Sequence, residues 1–440
     1  MTQAAVEVEK ADVIVLGAGV AGLSAAHALV DTDLDVLVLE ARDRLGGRVH
    51  TDKHFAGFPV ELGAEFVHGA RVKTWEWIER LGLQTKHWRR TDDSWVRLAD
   101  GSRLTMSEAR GVSPAFDLTR SWDIPDVAAR PFESFDRYLS RVGFDAEQLD
   151  YVRRAYANAA GESLRHLDAR SMLDSLKSLE EDGGEDFRLL DGYGAIIEAL
   201  GIGLEIVTDT VVSRVVATED GVEVTARDGR RFEAKGAIVT LPVGVLAAGD
   251  VEFDPPLDDL KGEALAGLGM GPVIKIVYRF AERLAPPEIQ AVYAAGRAPM
   301  WWSPSSGHPT DAVVWTAFVS GDAAVDLLRL GEEAAIDHAL DSLRRELGRP
   351  GLKPLDALLV DWPNDPFAAG GYSYVRPGHR GVRERLAAPT PPLFWAGEAT
   401  APERDAATVH GALLSGERAA QEALGLFGVV HTYDGLEVTH

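Results

Sequence analysis

The sequence predicts an α/β fold: a domain built on a parallel sheet, interleaved with an α+β domain. Three observations carry this. A β-branched run at residues 12–16 (DVIVL) passes through a glycine turn into an Ala/Leu-rich segment. A second apolar run at 35–40 ends in an acid, and strand, glycine turn, helix, strand is a βαβ unit with parallel strands. Strand character of the same kind returns after residue 201 and again at 393–396, so one domain is assembled from three separated pieces of chain.

Taken in order, residues 12–16 suit a strand buried on both faces, 17–22 the turn, 23–30 a helix and 35–40 the second strand. Residues 75–200 change character. Amphipathic pieces at 133–142 and 150–159, divided by Pro114, Pro125, Pro131 and a Gly/acid patch at 180–186, predict a helix-rich layer. Strands are expected at 204–216, 222–226 and 231–234, with a hairpin at Asp228-Gly229. Further strands are expected at 235–241, 272–280, 313–319 and 357–362, with helices at 332–347 and 409–424. The expected boundaries are 1–80, 201–283 and 388–430 for the sheet domain. The second domain takes 81–200 (helical) and 284–387 (strands plus a helix).

The chain has 440 residues, 46% hydrophobic and 26% charged, enough for a large core. Its formal net charge of −24, with no Lys/Arg run, repels phosphate backbones and predicts no nucleic-acid partner. A cationic small molecule would instead be drawn in. Cys is absent, which removes disulfides, thiolate metal sites, a Cys nucleophile and any cysteinyl cofactor link. Residues 1–10 lack a basic start and an apolar core, and the apolar stretch 13–30 is interrupted by Gly17, Gly19, Gly22, Ser24 and His27. No membrane association is expected, and a cytoplasmic protein is.

Gly17-x-Gly19-x-x-Gly22 lies between strand and helix, where a dinucleotide fingerprint belongs. The glycines permit the tight turn, the approach of a pyrophosphate and close helix–strand packing, and the helix N-terminus favours phosphate. Glu40 ends the second strand, placed to accept hydrogen bonds from a ribose, and it disfavours a 2′-phosphate. HExxH, G-x-S-x-G and the P-loop spacing are absent, and His50 and His54 flank a loop without a third ligand, so no metal is expected. Trp301, Trp302 and Trp315 suit a core or tunnel wall.

The blocks VIVLGAGVAGLSAA and LEARDRLGGRVHT resemble the N-terminus of the flavin-containing amine oxidases: monoamine oxidases, polyamine oxidases and lysine-specific histone demethylases. Phytoene desaturases and protoporphyrinogen oxidases share this block. Residues 61–69 (ELGAEFVHG) are similar to the family's turn beside the flavin. TLPVGVL at 240–246, FDPPL at 253–257 and GPVIKIVYRF at 271–280 resemble the polyamine oxidase and demethylase branch, as do DWPNDPF, GGYSY and WAGEAT at 361–400. The matches run in order from residue 12 to about 422.

The resemblance implies an FAD-binding Rossmann-type (GR2-like) domain interleaved with an α+β substrate-binding domain. It places noncovalent FAD against Gly17, Gly19, Gly22, Glu40, Ala41, Arg42, Gly47, Arg48, Gly63 and Ala64. Val212, Trp395, Gly397, Glu398, Thr408 and Val409 complete that set. Lys275 is the lysine that in this family holds a water against the flavin and helps the reduced flavin meet oxygen. Read from residues alone, a Lys in the apolar run 273–277 could be an edge-strand charge facing water; buried without a carboxylate partner, it would lose basicity. His68 is a candidate to accept a hydrogen bond from an amine, or else caps a loop. Glu65 is a candidate to bind a distal ammonium. The two tyrosines that wall monoamine oxidase sites fall on Gly371 and Thr408 here. Gly371 and the neighbouring Tyr372 are candidate substrate contacts, and the loss of the two tyrosines points away from aromatic monoamines and toward aliphatic amines.

The resulting expectation is an FAD-dependent oxidase of a primary or secondary, polyamine-like aliphatic amine, with O₂ as acceptor and H₂O₂ as product. The main alternative is an L-amino-acid oxidase of the same fold, for which Arg376 and Arg297 are candidates to bind a carboxylate. A desaturase-type enzyme, a chromatin-directed oxidase and a flavin-binding regulator without oxidase activity remain further alternatives. The oligomeric state is not legible.

Overall fold

A computed structural model describes residues 8–89, 93–98, 101–112, 127–181 and 185–428. Its first layer is a five-stranded sheet in the spatial order Glu205–Val207, Val36–Leu39, Val13–Leu16, Gly236–Val239, Leu393–Trp395. Every pairing in it is parallel. Val13–Leu16 and Gly236–Val239 are wholly buried, which is why they read as unbroken apolar runs. The strands come from three separated pieces of chain. The helices Val20–Leu29 and Val409–Leu424 pack against each other, close enough that a Cβ on Gly416 would lie 2.2 Å from the Ala21 carbonyl oxygen. A second five-stranded sheet holds the hairpin at Asp228-Gly229, between Gly221–Ala226 and Arg231–Ala234.

A seven-stranded sheet forms the other large layer, in the order Asp356–Asp361, Val273–Phe280, Val313–Ser320, Met300–Trp302, Ala291–Tyr293, Ser94–Arg97, Arg103–Thr105. The helix Glu332–Leu347 packs on it through Ala335, Ala339, Leu340 and Leu343. This sheet departs from the expected boundaries twice. Val273–Phe280, inside the 201–283 piece, pairs with Val313–Ser320 and Asp356–Asp361 and not with the parallel sheet. Ser94–Arg97 and Arg103–Thr105, inside the stretch expected to be helical, form its far edge. A burial-driven apolar run carries no label for which sheet it enters, and strands of three or four residues leave no periodicity to read. Two short strands inside the stretch expected to be helical, Asp186–Leu189 and Thr85–Trp88, likewise pair with each other, and the first also pairs with Phe66–His68.

Candidate active site

A cavity of about 720 Å³ lies between the carboxyl edge of the parallel sheet and the seven-stranded sheet. At one end stands the glycine turn. Gly17 has φ +106°, and a Cβ on Gly22 would sit 1.9 Å from the Gly17 carbonyl oxygen, so both positions require glycine. In front of Gly19, which starts the helix Val20–Leu29 without a side-chain cap, a Cβ would meet nothing within 4 Å. That open space at a helix N-terminus is a cradle for phosphate. The Glu40 carboxylate accepts from Ala18 N–H (2.7 Å) and Arg42 N–H (2.9 Å), leaving lone pairs toward the cavity. Burial raises its pKa, and those two bonds oppose the rise.

The middle of the cavity is held by charge. Arg48 donates to Glu398 Oε1 (2.8 Å) and to the Gly371 carbonyl (2.9 Å), joining residues far apart in sequence. Glu398 also accepts from Ser373 Oγ (2.7 Å) and Ala407 N–H (3.1 Å). Burial would raise the Glu398 pKa, but Arg48, Arg383 and the Ser373 bond outweigh it and hold the carboxyl below its ordinary value.

At the far end Lys275 enters from the interior strand Val273–Phe280, opposite Phe318 on one side and Val360 on the other. It is no edge-strand charge. Its side chain is 4% exposed, and Nζ donates to Glu65 Oε2 (2.8 Å) and the Glu61 carbonyl (3.0 Å), 5.3 Å from the Trp302 ring centroid. The lysine thus has the carboxylate partner that the sequence did not reveal. Glu65, expected to meet a distal ammonium, is 6% exposed. Its other oxygen accepts from Trp302 Nε1 (2.8 Å), with Arg188 Nη1 at 3.9 Å. Beside it, His68 Nδ1 lies 2.6 Å from Asp186 Oδ1. An ionised Asp186 makes Nδ1 the donor and leaves the Nε2 lone pair free as an acceptor on the cavity wall. His410 also lines the cavity, its pKa pushed down to about 3 by burial and by the neighbouring His68 and Arg404.

The sequence model of the flavin containing amine oxidoreductases matches residues 20–424. This chain belongs to that family. The amine oxidoreductase is 32% identical over 438 residues to polyamine oxidase 2 of Arabidopsis thaliana, covering 93% of this chain and 87% of the relative. It is 29% identical to human lysine-specific histone demethylase 2, covering 93% of this chain but only 53% of that longer protein. Among solved structures, wild-type putrescine oxidase bound to putrescine superposes with a TM-score of 0.80 at 24% identity, covering 95% of this chain and all of the other.

The cofactor of this amine oxidoreductase is FAD, and the cavity suits it: an open cradle at Gly19, a buried acid at Glu40 and a long wall leading to Lys275. Gly17, Gly19, Glu40, Ala41, Arg42 and Gly47 line the nucleotide end. Val212 lies near that end too, on the segment whose Thr210 N–H donates to the Glu40 carbonyl, and Arg48, Gly63, Ala64, Gly397 and Glu398 line the cavity further along, with Thr408 and Val409. Two of the residues expected to contact the cofactor do not line the cavity. Gly22 packs behind the turn and does not line the cavity. Trp395 is 1% exposed in the core beneath the sheet, where its Nε1 donates to Thr390 and Lys261 lies over its ring. Gly371 and Tyr372 line the cavity, and Tyr372 donates its hydroxyl to the Ala159 carbonyl. Arg376 and Arg297 do not line it; Arg376 donates to the Leu268 carbonyl instead. Asp186, Arg188 and His410 were missed as site residues, and Trp302 was expected only as core or tunnel wall, because each earns its place through pairings more than a hundred residues apart, which no motif encodes. Among the described residues no helix is long and apolar enough to cross a membrane.

Proposed function

We propose that this enzyme oxidises a primary or secondary aliphatic, polyamine-like amine with O₂, giving an imine and H₂O₂. Water then converts the imine to an aldehyde and the released amine: RCH₂NHR′ + O₂ + H₂O → RCHO + R′NH₂ + H₂O₂. Bound FAD supplies the two-electron acceptor, and the protein supplies position, proton handling and exclusion of water.

The observation that carries this reading is the wall around Lys275. Phe66, Met300, Trp302 and Phe318 give it apolar and aromatic surface suited to an alkyl chain. His68 Nε2 offers an acceptor to an amine N–H. Aromatic faces also favour a cationic tail. Lys275 has two of its three N–H groups fixed by Glu65 and Glu61, which leaves the third for a water or oxygen in the cavity. The cavity arginines near this end each face an acid: Arg48 meets Glu398, Arg383 meets Glu403 at 2.9 Å and Arg404 lies 3.6 Å from Asp405. That favours an amine over an amino acid whose carboxylate needs a guanidinium.

The reading is tested by aerobic turnover with spermidine, N-acetylated polyamines, putrescine and L-amino acids, following oxygen uptake, peroxide and aldehyde together. One peroxide and one aldehyde per oxygen with the aliphatic amines supports it. Turnover confined to L-amino acids would replace it with the amino-acid oxidase.

A further inference from the structure

The catalytic lysine is seated in a buried charge cluster, and its geometry assigns a role to Glu65 that is separate from substrate binding. Glu65 lies 210 residues before Lys275, on the turn following Gly63-Ala64. Its two oxygens are used in different directions. Oε2 takes the Lys275 ammonium at 2.8 Å, and Oε1 takes the Trp302 indole N–H at 2.8 Å, with the Arg188 guanidinium 3.9 Å away. Arg188 is itself anchored by the Ser303 and Ser306 carbonyls at 2.8 and 3.0 Å. A carboxylate bracketed by two cations and a fixed indole donor is immobilised, and a buried ammonium bonded to it cannot swing.

Trp302 belongs to both halves of the arrangement. Its N–H fixes Glu65 while its ring lies against the Lys275 ammonium, 5.3 Å from centroid to Nζ. A lysine side chain has four rotatable bonds, and without a carboxylate at position 65 Nζ would lose its ionic partner, leaving the Glu61 carbonyl as the other contact that fixes it.

We propose that Glu65 is the positioning residue of Lys275, holding its ammonium at one point on the cavity wall so that the remaining N–H faces the reacting groups. This rests on the reading of Lys275 given above. It predicts that Glu65 acts only through Lys275.

The test is a double-mutant cycle on the FAD-loaded enzyme: Glu65→Gln, Lys275→Met and both together. It reads kcat, the amine KM and the thermal midpoints of holo- and apoprotein. Glu65→Gln should lower kcat about 10²-fold, the cost of a misplaced reacting group, with the amine KM little changed. In the Lys275→Met background the same substitution should change kcat by less than about 2-fold, and the two midpoint shifts should not add. Glu65→Asp, which keeps the charge, should recover part of kcat, and it serves as the probe should Glu65→Gln not retain FAD. Equal losses in both backgrounds would overturn the proposal, and so would a loss that appears in the amine KM, which is the signature of Glu65 binding the substrate ammonium. Near-wild-type turnover in Lys275→Met would instead strike the reading of Lys275 itself.

Discussion

Two buried groups near the site titrate in opposite senses. Burial raises the Glu61 carboxyl from its ordinary 4.5 to about 7, opposed by bonds from Tyr193 N–H and Thr51. The folded protein therefore favours neutral Glu61: its contribution is full below about pH 4.5 and is lost as pH rises through 7, about 3 kcal/mol in all. His410 has the reverse sign. Burial, with His68 and Arg404, lowers it from 6.5 to about 3, so its contribution is full above 6.5 and is lost as pH falls toward 3. Thermal midpoints measured across pH should show Glu61→Gln flattening the decline on the alkaline side and His410→Asn flattening the decline on the acid side. At this scale the sequence was legible in part. Lys275 was visible because a lysine sits between Ile274 and Ile276 in a matching block. Glu65 as its partner was not, since the two lie 210 positions apart and meet only where separate parts of the fold pack together.

Among the elements, the strand carrying Lys275 is sensitive to its neighbour loop. A Cβ on Gly371 would fall 2.6 Å from Val273 Cγ2 and 2.7 Å from Val273 Cβ, a contact only backbone movement relieves. Gly371→Ala should therefore shift the start of the strand two residues before Lys275. The expected result is a loss of kcat of about 10-fold or more with FAD still bound, checked by flavin absorbance beside steady-state kinetics. The same contact gives a physical reason for the absence of an aromatic side chain at this position. The long helices were legible: 332–347 and 409–424 emerge with the bounds their periodicity indicates. The strands Ala291–Tyr293 and Met300–Trp302 were not, being three residues each, and they are what brings Trp302 to the site. Trp395 shows the converse, a residue inside a recognisable motif whose ring packs in the core.

For the whole molecule, the interleaved chain makes the cavity a joint between distant segments. Arg48, Gly371 and Glu398 meet at 2.8 and 2.9 Å, and Arg42 reaches Asp365 at 2.5 Å. Glu398 is 8% exposed on its side chain, so removing Arg48 strips a buried carboxylate of its principal cation. Arg48→Met should destabilise the protein by about 3 kcal/mol. Its unfolding midpoint should recover in part with added FAD, because ligand binding to the folded state offsets the loss. A midpoint equal to wild type would show that the joint carries no such load. The three-piece assembly was readable from where apolar strands recur. That 273–280 joins the seven-stranded sheet was not readable, since buried strands of either sheet look alike in sequence.

The most direct test of the amine oxidase reading is anaerobic mixing of the purified FAD-bound protein with a panel of amines and L-amino acids, following the oxidised-flavin absorption band. The account predicts bleaching by aliphatic amines such as spermidine, its N-acetyl form or putrescine, and none by L-amino acids. Bleaching by L-amino acids alone, or by nothing in the panel while FAD stays bound, would contradict it.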